Sequence, residues 1–372
     1  MPRTINDPAS PPLGDAHNFG RRVSVGPSGR IEKPRCIEWE RLFLGDSLLR
    51  SELVRLFRSN DASNPFELFP TLSFARDAEM DFAGTVERLA WRPAFPALTE
   101  ALCAQIGAVV GLTSWFGMGD LHRQNVAFGS LEDGRPVCAP LDIECLLVDH
   151  QLPAQSRLIG YHDAKGKGCG LAAFQERIEE AGRPGILVAA VLHGYIGAIV
   201  TLSGHEREVA ASIVSEPGIS RWPIRVILRD TAEYASILAG AAPAEGSPAL
   251  LPSERAQLAR GDVPYYYREA ASQEKRWLTR DSRNWPEASS EAALDLAAFP
   301  ALGIMRALGP DGRVEWRNKD LLLGAGALQL ARMLTGKERG DASHAAATLS
   351  VSDERIAVSW GEDRRHRWAC AL

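Results

Sequence analysis

The segment GMGDLHRQNVAFG, residues 117–129, places Asp120, His122 and Asn125 within six residues and leads into the apolar CAPLDIECLLVD, which adds Asp142 and Glu144. An aspartate five residues ahead of an asparagine suits a loop whose carboxylate faces a hydroxyl while the amide oxygen turns back to hold a hard cation. A carboxylate at the end of the following hairpin then reaches the same cation from an adjacent segment, and Asp142 has that place. Taken alone, the spacing equally describes a capped turn before a strand. Two further stretches bear on phosphate. Lys33 in GRIEKPR ends an early strand, where it is either a cation for phosphate oxygens or a solvated strand-end lysine. Arg225 and Arg229 in IRVILRDTAEYASIL stand about one helical turn apart with Thr231 close by. Two guanidinium groups so spaced grip phosphate bidentately or line a solvated helix face.

The elements that must position these residues are legible from their periods. From Arg21 to Pro34 apolar and polar residues alternate on both sides of GPSG, a hairpin signal with turn residues in the middle. Helical periodicity follows in IEWERLFLGDSLLRSELVRLF, and a second hairpin with its turn at EDG is expected in NVAFGSLEDGRPVCAPLDIECLLV. After the Gly-rich loop at 160–170, helices are expected to dominate to about Leu238, then a low-complexity loop over 239–253. The last hundred residues predict a helix near 321–335 and short strands such as RIAVSW, and no internal repeat is found. Residues 185–202, GILVAAVLHGYIGAIVTL, carry no formal charge and lie at the lower edge of membrane-spanning length. His193, Tyr195, Gly194 and Gly197 inside the segment, and SGHERE directly after it, favour a buried helix over a membrane span.

With 372 residues the chain has room for two lobes, and a formal charge of −5 gives no basic surface that argues for nucleic acid. Six cysteines occur without a C-x-x-C pair, which speaks against a zinc knuckle, a redox motif or a secreted disulfide framework. The start, MPRTINDPASPPLGDAHN, has no apolar core for a signal peptide, so a cytoplasmic location is expected.

Taken together and in order, the motifs resemble the dehydratase domain of class II lanthipeptide synthetases. GDAHNFGRRVSV is similar to that family's G-D-x-H-x-x-G-R-x-V stretch and EKPR to its Y-K-P-R. GDLHRQNVAFG with PLDIECLL resembles its D-L-H-x-x-N and D-x-E strand, and RVILRDTAEY with GDVPYYY resembles its R-x-I-x-R-x-T-x-x-Y and G-D-I-P-Y-F segments. The resemblance spans roughly residues 14–267. It implies an α+β, kinase-like two-lobe fold: a flexible lead-in over 1–13, a strand-rich small lobe over 14–110, a mostly helical lobe over 111–270, and an extension over 271–372. It also implies an enzyme that phosphorylates Ser and Thr of a precursor peptide with ATP and Mg²⁺, then eliminates phosphate to leave dehydroalanine or dehydrobutyrine. Asp120 then orients the hydroxyl or accepts its proton, and His122 braces the loop. Asn125 and Asp142 hold Mg²⁺, while Lys33 and Glu144 belong to the nucleotide site. Asp15, His17, Lys33, Arg225 and Thr231 match the positions linked to elimination, which needs a base and cations that stabilise an enolate and a departing phosphate. Sequence does not assign the base among them, and Lys33 is the expected choice if burial lowers the pKa of its amine.

The family's longer N-terminal part has no counterpart before residue 14, so leader recognition is expected to lie elsewhere, on a separate leader-binding protein for instance. The cysteines and histidines offer no zinc-cyclase set, so thioether rings would need another enzyme. The segment from Asp142 to Arg225 is shorter than the family's, and that from Asn125 to Asp142 somewhat longer. Three functions compete: the dehydratase, a kinase that stops at the phosphoester of a peptide or small hydroxyl compound, and a non-catalytic peptide-binding relative. The third should have lost some of these acids, and it has not.

Overall fold

Gly29, at φ +76°, closes the turn of the first hairpin, and the Gly26 N–H donates to the Arg30 carbonyl at 2.8 Å. The hairpin strands, β1 (Ser24–Val25) and β2 (Ile31–Lys33), pair antiparallel with Ser24 opposite Glu32. The computed structural model describes residues 13–94, 96–148, 152–160, 168–182, 184–281, 289–291, 319–335, 348–351, 355–360 and 366–371. Most of the Gly-rich loop expected over 160–170 lies outside these residues.

The helical pattern after residue 36 is realised as two helices, α1 (Glu38–Leu44) and α2 (Leu48–Ser59). The break comes at Gly45 and Asp46, where the Ser47 hydroxyl accepts from the Arg50 N–H at 3.0 Å and starts a new helix. Then follow β3 (Phe74–Arg76), β4 (Gly84–Val86), β5 (Trp91–Arg92) and α3 (Glu100–Trp115). The EDG hairpin is β6 (Val126–Leu131) and β7 (Pro136–Pro140), with Gly134 at φ +84° in its turn. Helices α4 (Ala172–Glu180), α5 (Pro184–Gly204) and α6 (Glu206–Val214) lead to β8 (Pro223–Val226), α7 (Thr231–Leu238) and α8 (Pro252–Ala259). Strands β9 (Tyr266–Glu269), β10 (Lys275–Trp277) and β11 (Ser289–Glu291) come next. The final part holds α9 (Lys319–Leu321), a π turn, α10 (Ala327–Leu334), and the meander β12 (Thr348–Val351), β13 (Arg355–Trp360) and β14 (His366–Ala371).

These elements make an α+β protein of small antiparallel sheets and helices, divided into two units that interleave along the chain. One unit contains Met1–Asp46, Leu72–Leu89 and Pro217–Leu302, with two four-stranded sheets of order β1-β2-β4-β3 and β11-β10-β9-β8. The other contains Ser47–Thr71, Ala90–Glu216 and Gly303–Leu372, with three-stranded sheets β5-β6-β7 and β12-β13-β14 and the longest helices.

Two of those helices form the core of the second unit. Helix α5 is long and apolar enough to cross a membrane, yet 67% of its most apolar window is buried within the chain. It lies against α3, where Gly107 and Gly194 allow close approach: a Cβ at either would strike the backbone of Val191 or Ala104 on the facing helix.

The segment after Trp222 departs from the helical expectation. Ile224 and Val226 are buried in β8, which pairs with β9 through Ile224–Arg268 and Arg225–Tyr267, and α7 starts only at Thr231 with Asp230 as its cap. Arg225 and Arg229 therefore do not share a helix face. The β-branched residues and the available sheet edge outweigh a spacing that suits either period.

Candidate functional site

In the second unit, the polar loop and the segment after the hairpin, which is irregular where PLDIECLL was expected to form a strand, are stitched together through main chain. The Gly119 N–H donates to the Cys145 carbonyl at 2.9 Å and the Leu147 N–H to the Phe116 carbonyl at 2.9 Å. The Leu141 N–H donates to the Asn125 carbonyl at 2.7 Å, which sets Asn125 beside the residue preceding Asp142. The two oxygen ligands suggested by the spacing thus ride on adjacent backbone. Asp120 occupies the left-handed region at φ +58°, a conformation that costs a residue with a Cβ energy and that clusters at functional sites. It is held there by the Asn125 amide, whose Nδ2 donates to the Asp120 carbonyl at 2.9 Å.

That bond orients the Asn125 amide, and its Oδ1 accepts no hydrogen bond among the described residues. Asp142 is half-buried with Oδ1 shut off from solvent, and Glu144 is buried. Among the described residues no group of three or more His, Cys, Asp or Glu can hold a metal. Magnesium needs no such cage, because one or two protein oxygens suffice when water and phosphate complete its shell. An amide oxygen and a carboxylate on neighbouring segments fit that demand, and thiols do not compete. Cys36, Cys103, Cys138, Cys145 and Cys169 are not in disulfides, and burial pushes the thiols of Cys36, Cys103 and Cys138 well up, the second to about 12.

His122 is buried beneath the loop. Its Nδ1 accepts from the Gln124 N–H at 3.2 Å, so the neutral ring carries its proton on Nε2, 3.8 Å from Asp120 Oδ1. On another side of the same carboxylate oxygen stands Arg157 Nη1 at 3.5 Å. No motif in the sequence marks Arg157.

The first unit gathers the remaining candidates. The turn at 17–21 runs through three consecutive left-handed residues, Asn18, Phe19 and Gly20. The buried Asp262 holds it, accepting from the Phe19 N–H at 2.7 Å, the Gly20 N–H at 2.8 Å and Arg260 Nε at 2.6 Å. The Val263 N–H donates to the Ala16 carbonyl at 2.8 Å, and His17 Nδ1 donates to the Val263 carbonyl at 2.7 Å. A carbonyl can only accept, so neutral His17 has its lone pair on Nε2. The GDAHNFG and GDVPYYY motifs, far apart in sequence, are one structural piece. Tyr265 extends it: the His17 ring meets its edge at 5.4 Å between centroids, and the Arg225 guanidinium lies over its face at 5.2 Å. His17 and Arg225 thus share one aromatic ring. Asp15 is half-buried two residues before His17, and Thr231 is half-buried as the first residue of α7.

Arg229 has a different task. Its Nε donates to Glu254 Oε1 at 2.7 Å, and the Tyr234 hydroxyl donates to the same oxygen at 2.6 Å, all three residues being buried. This network ties the loop before α7 to α8 and takes Arg229 out of the proposed phosphate grip.

Lys33, at the end of β2, is buried and contacts both oxygens of Glu40 on α1 at 2.6 Å. Arg35 Nη1 approaches Glu40 Oε1 at 3.4 Å. Helix α1 is in turn fixed to the start of β8, because Trp39 Nε1 donates to the Pro223 carbonyl at 2.9 Å and its ring meets Trp222 edge to face. Sequence reading missed Glu40, although an acid in the first turn of the helix following a strand-end lysine was a readable signal. Asp262 and Tyr265 lie in GDVPYYY, where their spacing alone gives neither a role.

No protein-family model matches the chain, and no curated protein matches it.

Proposed function

We propose that the chain is an ATP- and Mg²⁺-dependent dehydratase of a ribosomal precursor peptide, phosphorylating Ser and Thr and then eliminating phosphate, with a kinase-like two-lobe fold. The observation that carries this reading is the Lys33–Glu40 pair. A buried ion pair is a poor source of stability, since two apolar residues of similar volume serve as well or better, so its presence calls for a use of the cation. Kinase-type sites have that use: a strand lysine, aligned by a helix glutamate, meets nucleotide phosphates.

Bound MgATP supplies the phosphoryl group and neutralises its negative charge. Asn125 Oδ1 and the Asp142 carboxylate hold the metal, and Asp120, fixed by Asn125 and backed by His122, orients the substrate hydroxyl and takes its proton. For elimination, His17 has the right tautomer to accept an α-proton at Nε2, and Arg225 offers charge to the departing phosphate. Lys33 serves as a cation in this scheme, because its ammonium protons are engaged by Glu40. The reading keeps the protein in the cytoplasm, with a precursor peptide as its partner and a separate enzyme for any ring closure.

A kinase that stops at the phosphoester remains the second reading. The withdrawal of Arg229 into its pair with Glu254 favours it, leaving one of the two arginines once assigned to phosphate. Incubation with ATP, Mg²⁺ and a Ser/Thr peptide encoded beside the gene separates the two by mass. Loss of water supports the dehydratase, gain of a phosphoryl group alone supports the kinase, and an unchanged peptide with no ATP consumed refutes both.

A further inference from the structure

Lys275 is a buried lysine that none of the candidate sites uses. It opens β10, and the pairing of Arg276 with Tyr267 sets the next residues of the two strands, Lys275 and Arg268, opposite each other on the reverse face of the β9–β10 pair. Ile224 of β8 pairs with Arg268 and continues that face. Lys275 is 8% exposed, and Ile224 and Arg268 are fully buried. Arg268 is fixed by carbonyls, its Nη1 donating to those of Ala270 and Ser272 at 3.3 Å each. Two basic side chains thus face each other across one strand pair beside an apolar residue, an arrangement that sheets disfavour.

Among the described residues Lys275 Nζ makes no hydrogen bond or ion pair, yet it is not one of the nitrogen atoms sealed from solvent. Its stem is covered and its tip reaches water. Burial, and after it the charge of Arg268, lower the pKa of this amine from the ordinary lysine value, so more of it is neutral than of an exposed lysine. A neutral amine is a nucleophile, and the neighbouring cation decides which product it can keep. An aldehyde leaves a protonated imine, still a cation beside Arg268. An acyl group leaves no charge. Carbon dioxide leaves an anion, which turns repulsion across the strand pair into attraction.

We infer that Lys275 is a modification site that takes up carbon dioxide as a carbamate, held opposite Arg268. The Nζ lone pair forms the new N–C bond, one C=O π pair of carbon dioxide moves onto its oxygen, and an N–H proton passes to water. An amine and carbon dioxide thus give a carbamate anion and a proton, with no oxidant or reductant involved. Arg268 stands opposite Lys275 on β9, and Glu291 holds the facing register position on β11, so both enter the test. Glu274 and Arg276, which flank Lys275 on the other face, pair with each other at 2.9 Å. No step depends on phosphoryl transfer or on the proposed metal ligands.

The test equilibrates the full chain with isotope-labelled bicarbonate and traps carbamates by alkylation with triethyloxonium before peptide mass mapping. The carbamate resonance in carbon NMR is an independent readout. Wild type should carry the label on Lys275, and the label should disappear when carbon dioxide is purged. Lys275→Arg should lose the resonance. Arg268→Met should lower the trapped fraction by about tenfold, the effect of one pKa unit. Thermal unfolding midpoints report whether each variant is folded, and the wild-type mapping needs no variant. The inference is overturned by an unlabelled Lys275 in wild type, by label that appears only in Glu291→Gln, by a resonance unchanged in Lys275→Arg, or by an undiminished fraction in folded Arg268→Met.

Discussion

Removing Glu40 is the sharpest perturbation of the proposed nucleotide site, because it separates the cost of a buried charge from the use of that charge. Lys33 and Glu40 have side chains only 6% and 1% exposed, and Arg35 adds a second cation to the same carboxylate. Glu40→Ala removes the carboxylate that Lys33 and Arg35 share. Breaking a buried pair in this way costs about 3–5 kcal/mol. Against a total stability of about 5–15 kcal/mol, that is a third or more of what holds a typical domain folded. Replacing both partners, Lys33→Met with Glu40→Leu, removes charge and counter-charge together and should bring stability back to within about 1–2 kcal/mol of wild type. The residual loss reflects Arg35, which no longer has the Glu40 carboxylate that it approaches at 3.4 Å. Urea unfolding of wild type, Lys33→Met, Glu40→Leu and the double variant gives the coupling, expected at about 2–3 kcal/mol. ATP consumption measured on the same samples should fail to recover in the stable double variant. If Glu40→Ala costs less than about 1 kcal/mol, the carboxylate is more solvated than this geometry allows. If the double variant consumes ATP at the wild-type rate, Lys33 is not the phosphate cation and the proposed function loses its main support.

The other expectations concern single links in the same chain of argument. Asp142→Asn should abolish ATP consumption at any Mg²⁺ concentration, measured by ADP release; a wild-type rate would remove Asp142 as the metal ligand. Arg225→Ala should slow elimination by about a hundred- to thousandfold, the usual loss for one donor at a developing anion, and so accumulate phosphorylated peptide. Asp120→Ala should leave the peptide unmodified, and mass spectrometry distinguishes the two. Asp262→Ala abandons two backbone N–H groups and Arg260, and at about 1 kcal/mol or more for each should lower the thermal midpoint by several degrees in a calorimetric scan. Cys103 has its thiol raised to about 12 by burial against an ordinary value of 9.0, so the unfolded chain loses this proton first. Its contribution to stability is complete below pH 9 and falls as pH rises towards 12, a slope that Cys103→Ala should remove from the pH dependence of urea unfolding.

What the sequence made legible follows from the range over which each signal acts. Both hairpins were readable because their turn chemistry is local: Gly29 and Gly134 adopt positive φ where GPSG and EDG demand it. The helix at 184–204 was readable because its pattern is long and uncharged. The strand at Pro223–Val226 was not, because alternation over four residues cannot be told from one turn of helix until a partner strand is known. Interleaving of the two units was illegible for the same reason, since nothing local ties residues 217–302 to Met1–Asp46. Among the candidate residues, Asp120, Asn125 and Asp142 follow from a fixed spacing. Glu40, Asp262, Tyr265 and Arg157 act through contacts that spacing does not encode.

The division of labour among the arginines shows why those contacts matter to function more than the motif does. Arg225 and Arg229 stand four residues apart in one motif, where spacing suits a shared grip on phosphate or a solvated face and the family resemblance singles out Arg225. Their fates differ because of what lies opposite each. Arg229 meets a buried carboxylate, Glu254, already bonded to Tyr234, and is neutralised there. Arg225 meets the face of Tyr265, which attracts a cation without cancelling its charge. A guanidinium over an aromatic face keeps its charge uncancelled by that ring, whereas one paired with a buried carboxylate is compensated by it. The same reasoning extends to Lys33. Glu40 holds its ammonium in place at the end of β2, so under the proposed function Lys33 would present charge to phosphate and the proton-accepting role would fall to His17, whose Nδ1 donates to the Val263 carbonyl.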